Sequence, residues 1–211
     1  MSTAQVARDV ITLKGSADIV TEFFCYAVNS IIYQRGLYPT EQFGRVKKYG
    51  LTLLVAQDES VKKFITGVTT QLAAWLQTGQ LQRVVLVILD QATSEPLERW
   101  NFLIEADQEV VQKGVSKRKS DADIMKEIQA IMRQITSCVT FLPCLNTTCI
   151  FDVLAYTDKD ATVPITWADS DAKIIENSQV VKLRSFDTKV HKIDASVAFK
   201  MELDEDFGSS T

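Results

Sequence analysis

The 211-residue chain has a single histidine, His191, and four cysteines, Cys25, Cys138, Cys144 and Cys149, none of them in a C-x-x-C pair. A lone histidine cannot complete a zinc site of the usual Cys/His kind, so the thiols read as buried and reduced and no metal is expected. Any Ser-His or Cys-His mechanism would have to run through His191, and G-x-G-x-x-G, P-loop, H-E-x-x-H and G-x-S-x-G motifs are all missing. Nothing in the sequence calls for an enzyme or a cofactor. Long apolar runs are also missing. No stretch approaches the ~20 apolar residues of a membrane span, and the N-terminus lacks the apolar core of a signal peptide, so a soluble intracellular protein is expected. Basic charge is in deficit: 23 Lys and Arg against 27 Asp and Glu give a net charge of -4. That balance argues against sequence-independent nucleic-acid binding, which needs a basic surface to displace counterions from phosphate. The one basic run, Lys117 to Lys119, reads as a solvated loop rather than a localisation signal. Four prolines and eight glycines leave no room for a long linker, so a single unit is expected.

What is present is periodic. From Ser16 to Arg35 the apolar pairs Ile19/Val20, Phe23/Phe24, Ala27/Val28 and Ile31/Ile32 recur every four residues, and Gly36 supplies a stop. From Asp58 to Thr78 the residues Val61, Phe64, Ile65, Val68, Leu72, Trp75 and Leu76 repeat the pattern, closed by Gly79. A third helix is expected from Ser120, where Asp123 can answer the cap, through Ile124, Ile128, Ile131, Ile135, Cys138 and Leu142 to a stop at Pro143. The apolar run Arg83 to Leu89 suits a central strand covered on both faces. Leu97 to Glu105 alternates as its hairpin partner, and Thr147 to Asp158 alternates again. Helices and strands are segregated, so the fold class is α+β, three helices packed on an antiparallel sheet.

Lys159 to Gln179 breaks the order, because it has no sustained period and one proline. A structureless stretch of that length in a compact domain is usually functional. It delivers the most strand-like basic segment, Val180 to Met201, to the sheet last of all. If Thr147 to Asp158 is a sheet edge, a late hairpin can cover it or clamp a peptide laid against it. His191, between Val190 and Lys192, reads as a hydrogen-bonded strand histidine or one touching a partner, in preference to a catalytic base.

Residues Gly15 to Val55, with "NSIIYQRGLYP", and the later motifs "LERWNFLIE", "IMRQITSCVTFLP", "FDVLAYTDKD" and "VKLRSFDTKVHKI" resemble the HORMA-domain proteins of the spindle assembly checkpoint, the mitotic-arrest-deficient family. The resemblance runs from about Ile11 to Met201. It implies a HORMA domain over residues 11–203, with a core of about 11–158 and a mobile C-terminal safety-belt hairpin of about 159–203, followed by an acidic tail, 204–211. It implies no enzyme but an open/closed switch that clamps a short peptide added to a sheet edge.

Carried to this chain, the resemblance puts Ile150, Asp152, Leu154 and Tyr156 on the peptide-facing strand and Trp75 on the floor near the ligand. Trp167, Arg184, Phe186 and His191 fall in belt motifs; Phe199 stands where the family usually shows a tyrosine. Arg133, Gln134 and Phe141 are implied as the surface joining an open to a closed molecule. The implied partners are the coiled-coil checkpoint receptor at kinetochores, the activator subunit of the anaphase-promoting complex and other members of the mitotic checkpoint complex. A conformational homodimer and a AAA+ remodelling ATPase with its HORMA-like adaptor are implied as well, with neither nucleic acid nor membrane. The implied setting is the nucleus, the kinetochore and spindle region in mitosis, and the cytoplasm. The same fold also includes the accessory subunit of translesion polymerase zeta, which the dense match of "NSIIYQRGLYP" and "RSFDTKVHK" disfavours.

Overall fold

The computed structural model describes residues 9–200, so Met201 and the acidic tail lie outside the described residues. The first helix, α1 (Leu13–Gln34), starts three residues earlier than its apolar stripe, because the Thr12 hydroxyl accepts the Gly15 N–H and caps it. Gly36 stops it at φ 63°: its N–H bonds the Tyr33 carbonyl while the Leu37 N–H reaches back to Ile32, a left-handed closure that only glycine makes without strain. Helix α2 (Glu59–Gln77) is capped by Asp58, which accepts the N–H groups of Ser60 and Val61, and it ends at Gly79 in the same way. A short α3 (Gln108–Lys113) and a longer α4 (Asp121–Ser137) follow, the latter capped by Ser120 as its sequence predicts. The helix does not run to Leu142. The hydroxyls of Thr136, Ser137 and Thr140 each donate to the carbonyl three residues back, and the chain tightens into a 3-10 turn over Cys138–Thr140.

The main sheet contains β4 (Leu81–Asp90), β5 (Pro96–Ala106), β7 (Cys149–Thr157), β8 (Ser178–Lys182), β9 (Phe186–Asp187) and β10 (His191–Lys200). Its order is β7-β4-β5-β10-β8, with β9 also on β10, and every pairing is antiparallel. The helices cover one face. Val84, Leu86 and Ile88 of β4, Trp100 and Phe102 of β5 and Ile193 and Val197 of β10 meet Phe23, Phe24 and Ile31 of α1 there. On the other face Val85, Val87 and Leu89 are equally buried among Leu154 and Tyr156, so β4 is central as its continuous apolar run predicts.

Two small pairs complete the fold. A hairpin of β2 (Phe43–Lys48) and β3 (Leu51–Ala56) turns at Tyr49 and Gly50, both at positive φ, the geometry of a two-residue primed turn. Strands β1 (Val10–Ile11) and β6 (Lys117–Arg118) pair with each other. The basic run is therefore not a free loop: Lys117 pairs with Asp107 and Glu109, and Lys119 with Glu127. Of the four thiols only Cys138 is fully buried, and Cys144 is exposed. Among the described residues no helix is long and apolar enough to cross a membrane, and no group of three His, Cys, Asp or Glu side chains comes together for a metal.

Candidate functional site

The sheet has two edges, and the structure treats them differently. At one, β10 covers β5 over nine residue pairs and β8 and β9 cover β10. At the other, β7 is paired to β4 along its inner side only, and no strand among the described residues pairs with its outer side. The late hairpin thus lies at the far edge from Thr147 to Asp158 and leaves that strand open. An unpaired edge presents a row of main-chain donors and acceptors ready to take another strand.

Residues on β7 alternate between the two faces. Ile150, Asp152, Leu154 and Tyr156 share the face away from the helices, where Leu154 packs on Val85 and Val87 and the Arg83 guanidinium lies 5.5 Å from the centre of the Tyr156 ring. Phe151, Val153 and Ala155 face the helices. An extended peptide on this edge would place alternate side chains on each face, so both sets belong to the candidate site. On the helix side Phe64 of α2 stands 41% exposed with its ring edge-on to Phe151 at 5.4 Å, and Tyr38 meets the other flank of Phe151 at 6.3 Å. The cavity behind them, lined by Phe24, Leu72, Val84 and Val153, has room for only about 10 Å³, so peptide side chains would rest on the Phe64/Phe151 rim. Phe64 was legible as helix stripe but not as site: only its exposure beside an open strand distinguishes it.

After β7 the chain leaves along residues 158–177 without regular structure, as the aperiodic sequence predicts. Its start is tied down. The Asp158 N–H bonds the Gln80 carbonyl, Trp75 donates its indole N–H to the Thr162 carbonyl at 3.0 Å, and Trp167 packs edge-on against Trp75 at 5.0 Å. Val163 and Ile165 are exposed, Ile165 completely, which leaves apolar surface free on the strap. Further on, Ile175 is buried near the β4–β5 turn before β8 begins. The segment therefore joins one end of β7 to the opposite end of the far edge strand. That diagonal is roughly 30 Å at ordinary strand spacing and rise. The twenty-one steps from Thr157 to Ser178 can span about 70 Å, so the strap has slack for another strand beneath it.

Four of the candidate peptide residues are not at the open edge. Arg184, Phe186, His191 and Phe199 belong to the belt where it sits on the far side of the sheet, with His191 and Phe199 on β10, three strand positions from β7, and Phe186 on β9 beyond it. Phe186 is buried against Phe23 with ring centroids 4.8 Å apart, which makes it an anchor of the belt in the core. The Arg184 N–H donates to the Gln134 side-chain oxygen. Phe199 is buried and tilted toward Phe141 at 6.5 Å. His191 opens β10, fully buried, with Nδ1 2.7 Å from the Ser16 hydroxyl, which in turn lies 2.6 Å from the Thr188 hydroxyl. Its Nε2 has no hydrogen-bond partner of good geometry, although the Leu76 main chain offsets a little of the burial. Burial lowers the imidazole pKa to about 4, so the ring is neutral at physiological pH. A neutral histidine buried in an interface has no access to a substrate proton. Arg133 and Phe141 are exposed on or just beyond α4, and Gln134 is half-buried beside the belt.

The ends of the belt-covered half are braced by a buried ion pair. Arg35, the cap of α1, meets Glu98 of β5 at 2.6 Å and donates to the Pro143 carbonyl, while Glu98 also accepts the Trp100 indole N–H at 3.1 Å. Burial nonetheless raises the Glu98 pKa despite Arg35, and it pushes the neighbouring Cys138 thiol up to about 12. Cys138 is thus an inert core thiol.

One sheet edge is closed by the chain's own C-terminal hairpin, and the other, among the described residues, has room for an added strand. The HORMA domain family model matches residues 16–191. A mitotic spindle checkpoint protein MAD2 of Arabidopsis thaliana is 62% identical over 199 residues, covering 94% of this chain and 95% of the relative. The human mitotic spindle assembly checkpoint protein MAD2A is 48% identical over 202 residues, covering 95% and 98%. Among solved structures, a chain from a crystal structure of the mitotic checkpoint complex is 46% identical with a TM-score of 0.80, covering 89% of this chain and all of that one. The chain belongs to the HORMA-domain family, in its MAD2 branch of mitotic spindle checkpoint proteins. Its setting is accordingly the spindle in mitosis. The MAD2B branch stands further off, with the rat protein 27% identical over 150 residues.

Proposed function

We propose that this chain is a non-enzymatic conformational switch, described here in its closed position, that traps an extended peptide on the outer edge of β7 beneath residues 158–177. The observation that carries the reading is the asymmetry of the sheet: the belt is docked on β5 through β10, while no strand among the described residues pairs with the outer side of β7. For the belt to admit a ligand under the strap it must occupy a second position from which it can return. Two packings of one sequence within a few kcal/mol meet that need, the peptide selecting the one it binds better. Threading under a covalently continuous strap makes release slow, since dissociation requires the belt to undock.

The peptides are those of the coiled-coil checkpoint receptor at unattached kinetochores and of the activator subunit of the anaphase-promoting complex. Capture of the activator holds the ubiquitin ligase inactive and delays anaphase. In that role the chain joins other members of the mitotic checkpoint complex and works in nucleus and cytoplasm. The exposed Arg133 and Phe141, with Gln134, form the surface on which an open copy docks on a closed one, and a AAA+ ATPase with its HORMA-like adaptor resets the closed form. The test is a pull-down of purified receptor and activator segments by the full chain and by a chain lacking residues 186–211. The full chain captures both and the truncated chain neither; normal capture by the truncated chain overturns the reading.

A further inference from the structure

The basic run at residues 117–119 is built into the belt's seat. Lys119 extends its ammonium, 12% exposed, to two acceptors, Glu127 Oε1 and the main-chain carbonyl of Asp187, each at 2.6 Å. The other oxygen of Glu127 accepts the main-chain N–H of Asp187 at 2.9 Å. Asp187 lies on β9, whose inner side pairs with β10. Its outward N–H and C=O would otherwise be an unpaired strand edge, and the ion pair from Lys119 and Glu127 satisfies both. An acidic and a basic side chain here take the place of the next strand. Lys119 is itself placed by its N–H, which bonds the Asp9 carbonyl next to the β1–β6 pair, and Glu127 is fixed on α4. The next belt residue, Thr188, meets the Ser16 hydroxyl on the other flank.

We propose that Lys119 and Glu127 are positioning residues of the clamp, reading the main chain of Asp187 to hold the belt on the β5 side of the sheet. The proposal rests on the two-position reading of the belt given above. Both main-chain contacts are charge-assisted and vanish when the belt leaves, so they weigh on one side of the switch only. Because the contacts go to the backbone, they require a donor at position 119 and an acceptor at position 127, beyond opposite charge alone.

The test compares the full chain with Lys119→Ala, Glu127→Ala and the charge swap Lys119→Glu with Glu127→Lys. Two readouts are taken: residue-resolved amide exchange without ligand, and release of a fluorescent twelve-residue peptide selected from a random library on the wild-type chain. Alanine at position 127 is a good helix former, which keeps α4 intact. Each single variant is expected to release the peptide about tenfold faster with unchanged association, and Glu127→Ala to exchange the Asp187 amide about tenfold faster, while β4 and β5 amides exchange as before. The swap keeps an ion pair but reverses donor and acceptor, so it is expected to behave like the single variants. Wild-type exchange at Asp187 in folded Glu127→Ala, wild-type peptide release in the single variants, restoration by the swap, or an equal acceleration of all amides overturns the proposal. If the wild-type chain captures no peptide from the library, the clamp reading fails, and exchange at Asp187 still decides the role of Lys119 and Glu127.

Discussion

His191 shows how one buried residue ties the belt to pH. Its folded pKa of about 4 is below the ordinary histidine value near 6.5, so the chain with the belt released binds a proton that the docked belt excludes between those limits. Stability of the docked belt is complete above pH 6.5 and falls as pH drops, by up to about 3 kcal/mol once pH is below 4. His191→Gln should remove that part of the acid dependence in denaturant melts from pH 4 to 7. Arg35 offers a second test: Arg35→Met leaves Glu98 buried without its cation and is expected to cost about 3–5 kcal/mol in urea unfolding, whereas Ala replacement of an exposed charge such as Lys63 is expected to cost less than about 0.5 kcal/mol. Gly79→Ala should destabilise as well, because the backbone is left-handed there and a Cβ would lie 2.7 Å from a Val111 methyl. Neither the Arg35–Glu98 pair nor the Ser16–His191 contact was legible in the sequence, since each joins residues more than sixty positions apart and neither partner stands in a distinctive pattern. Gly36 and Gly79 were legible, because a glycine closing an apolar period has one local meaning.

Elements were legible where periodicity and local chemistry agree. The first two long helices and strands β4, β5 and β7 follow their apolar patterns to within a few residues, the third long helix starts where predicted but gives way at Cys138 to a 3-10 turn, and the aperiodic strap is aperiodic in the structure. The β2–β3 hairpin was not read, because its turn is Tyr49-Gly50 and its register depends on Glu22 of α1 and Gln129 of α4, which hold Lys48, the Tyr49 hydroxyl and the Tyr49 carbonyl. The distribution of the candidate site was only half legible: alternation identified β7, but sequence cannot say which sheet edge the last hairpin occupies, and Arg184, Phe186, His191 and Phe199 lie away from the open edge. Phe64→Ala, at the open edge, should weaken peptide binding about tenfold by titration calorimetry while leaving thermal stability nearly unchanged, because the ring is already two-fifths exposed. Trp75→Phe keeps the packing on Trp167 but removes the bond to Thr162, and should quicken peptide release severalfold. For the proposed docking surface at Arg133 and Phe141, Arg133→Glu is the clean variant. Gln134 also bonds the belt at Arg184, so changing it would perturb docking and dimerisation together.

At the scale of the whole molecule, a sheet with its C-terminal hairpin seated on one edge leaves the other edge open, the side on which the proposed partner strand adds. The buried polar contacts gathered at Asp187, Thr188 and His191 set how firmly the hairpin is seated. The slack of residues 158–177 sets what can pass beneath, and the unpaired side of β7 sets where it binds. The measurement that bears on all three is residue-resolved hydrogen exchange on the purified chain with and without a peptide carrying the segment shared by the proposed receptor and activator partners. The account predicts that alternate amides of β7, over 150–157, become protected on binding, that the strap over 158–177 slows with them, and that the β5–β10 ladder keeps the protection it had. Protection appearing instead along the outer side of β8, or no change anywhere in a sample that binds the peptide, would contradict it.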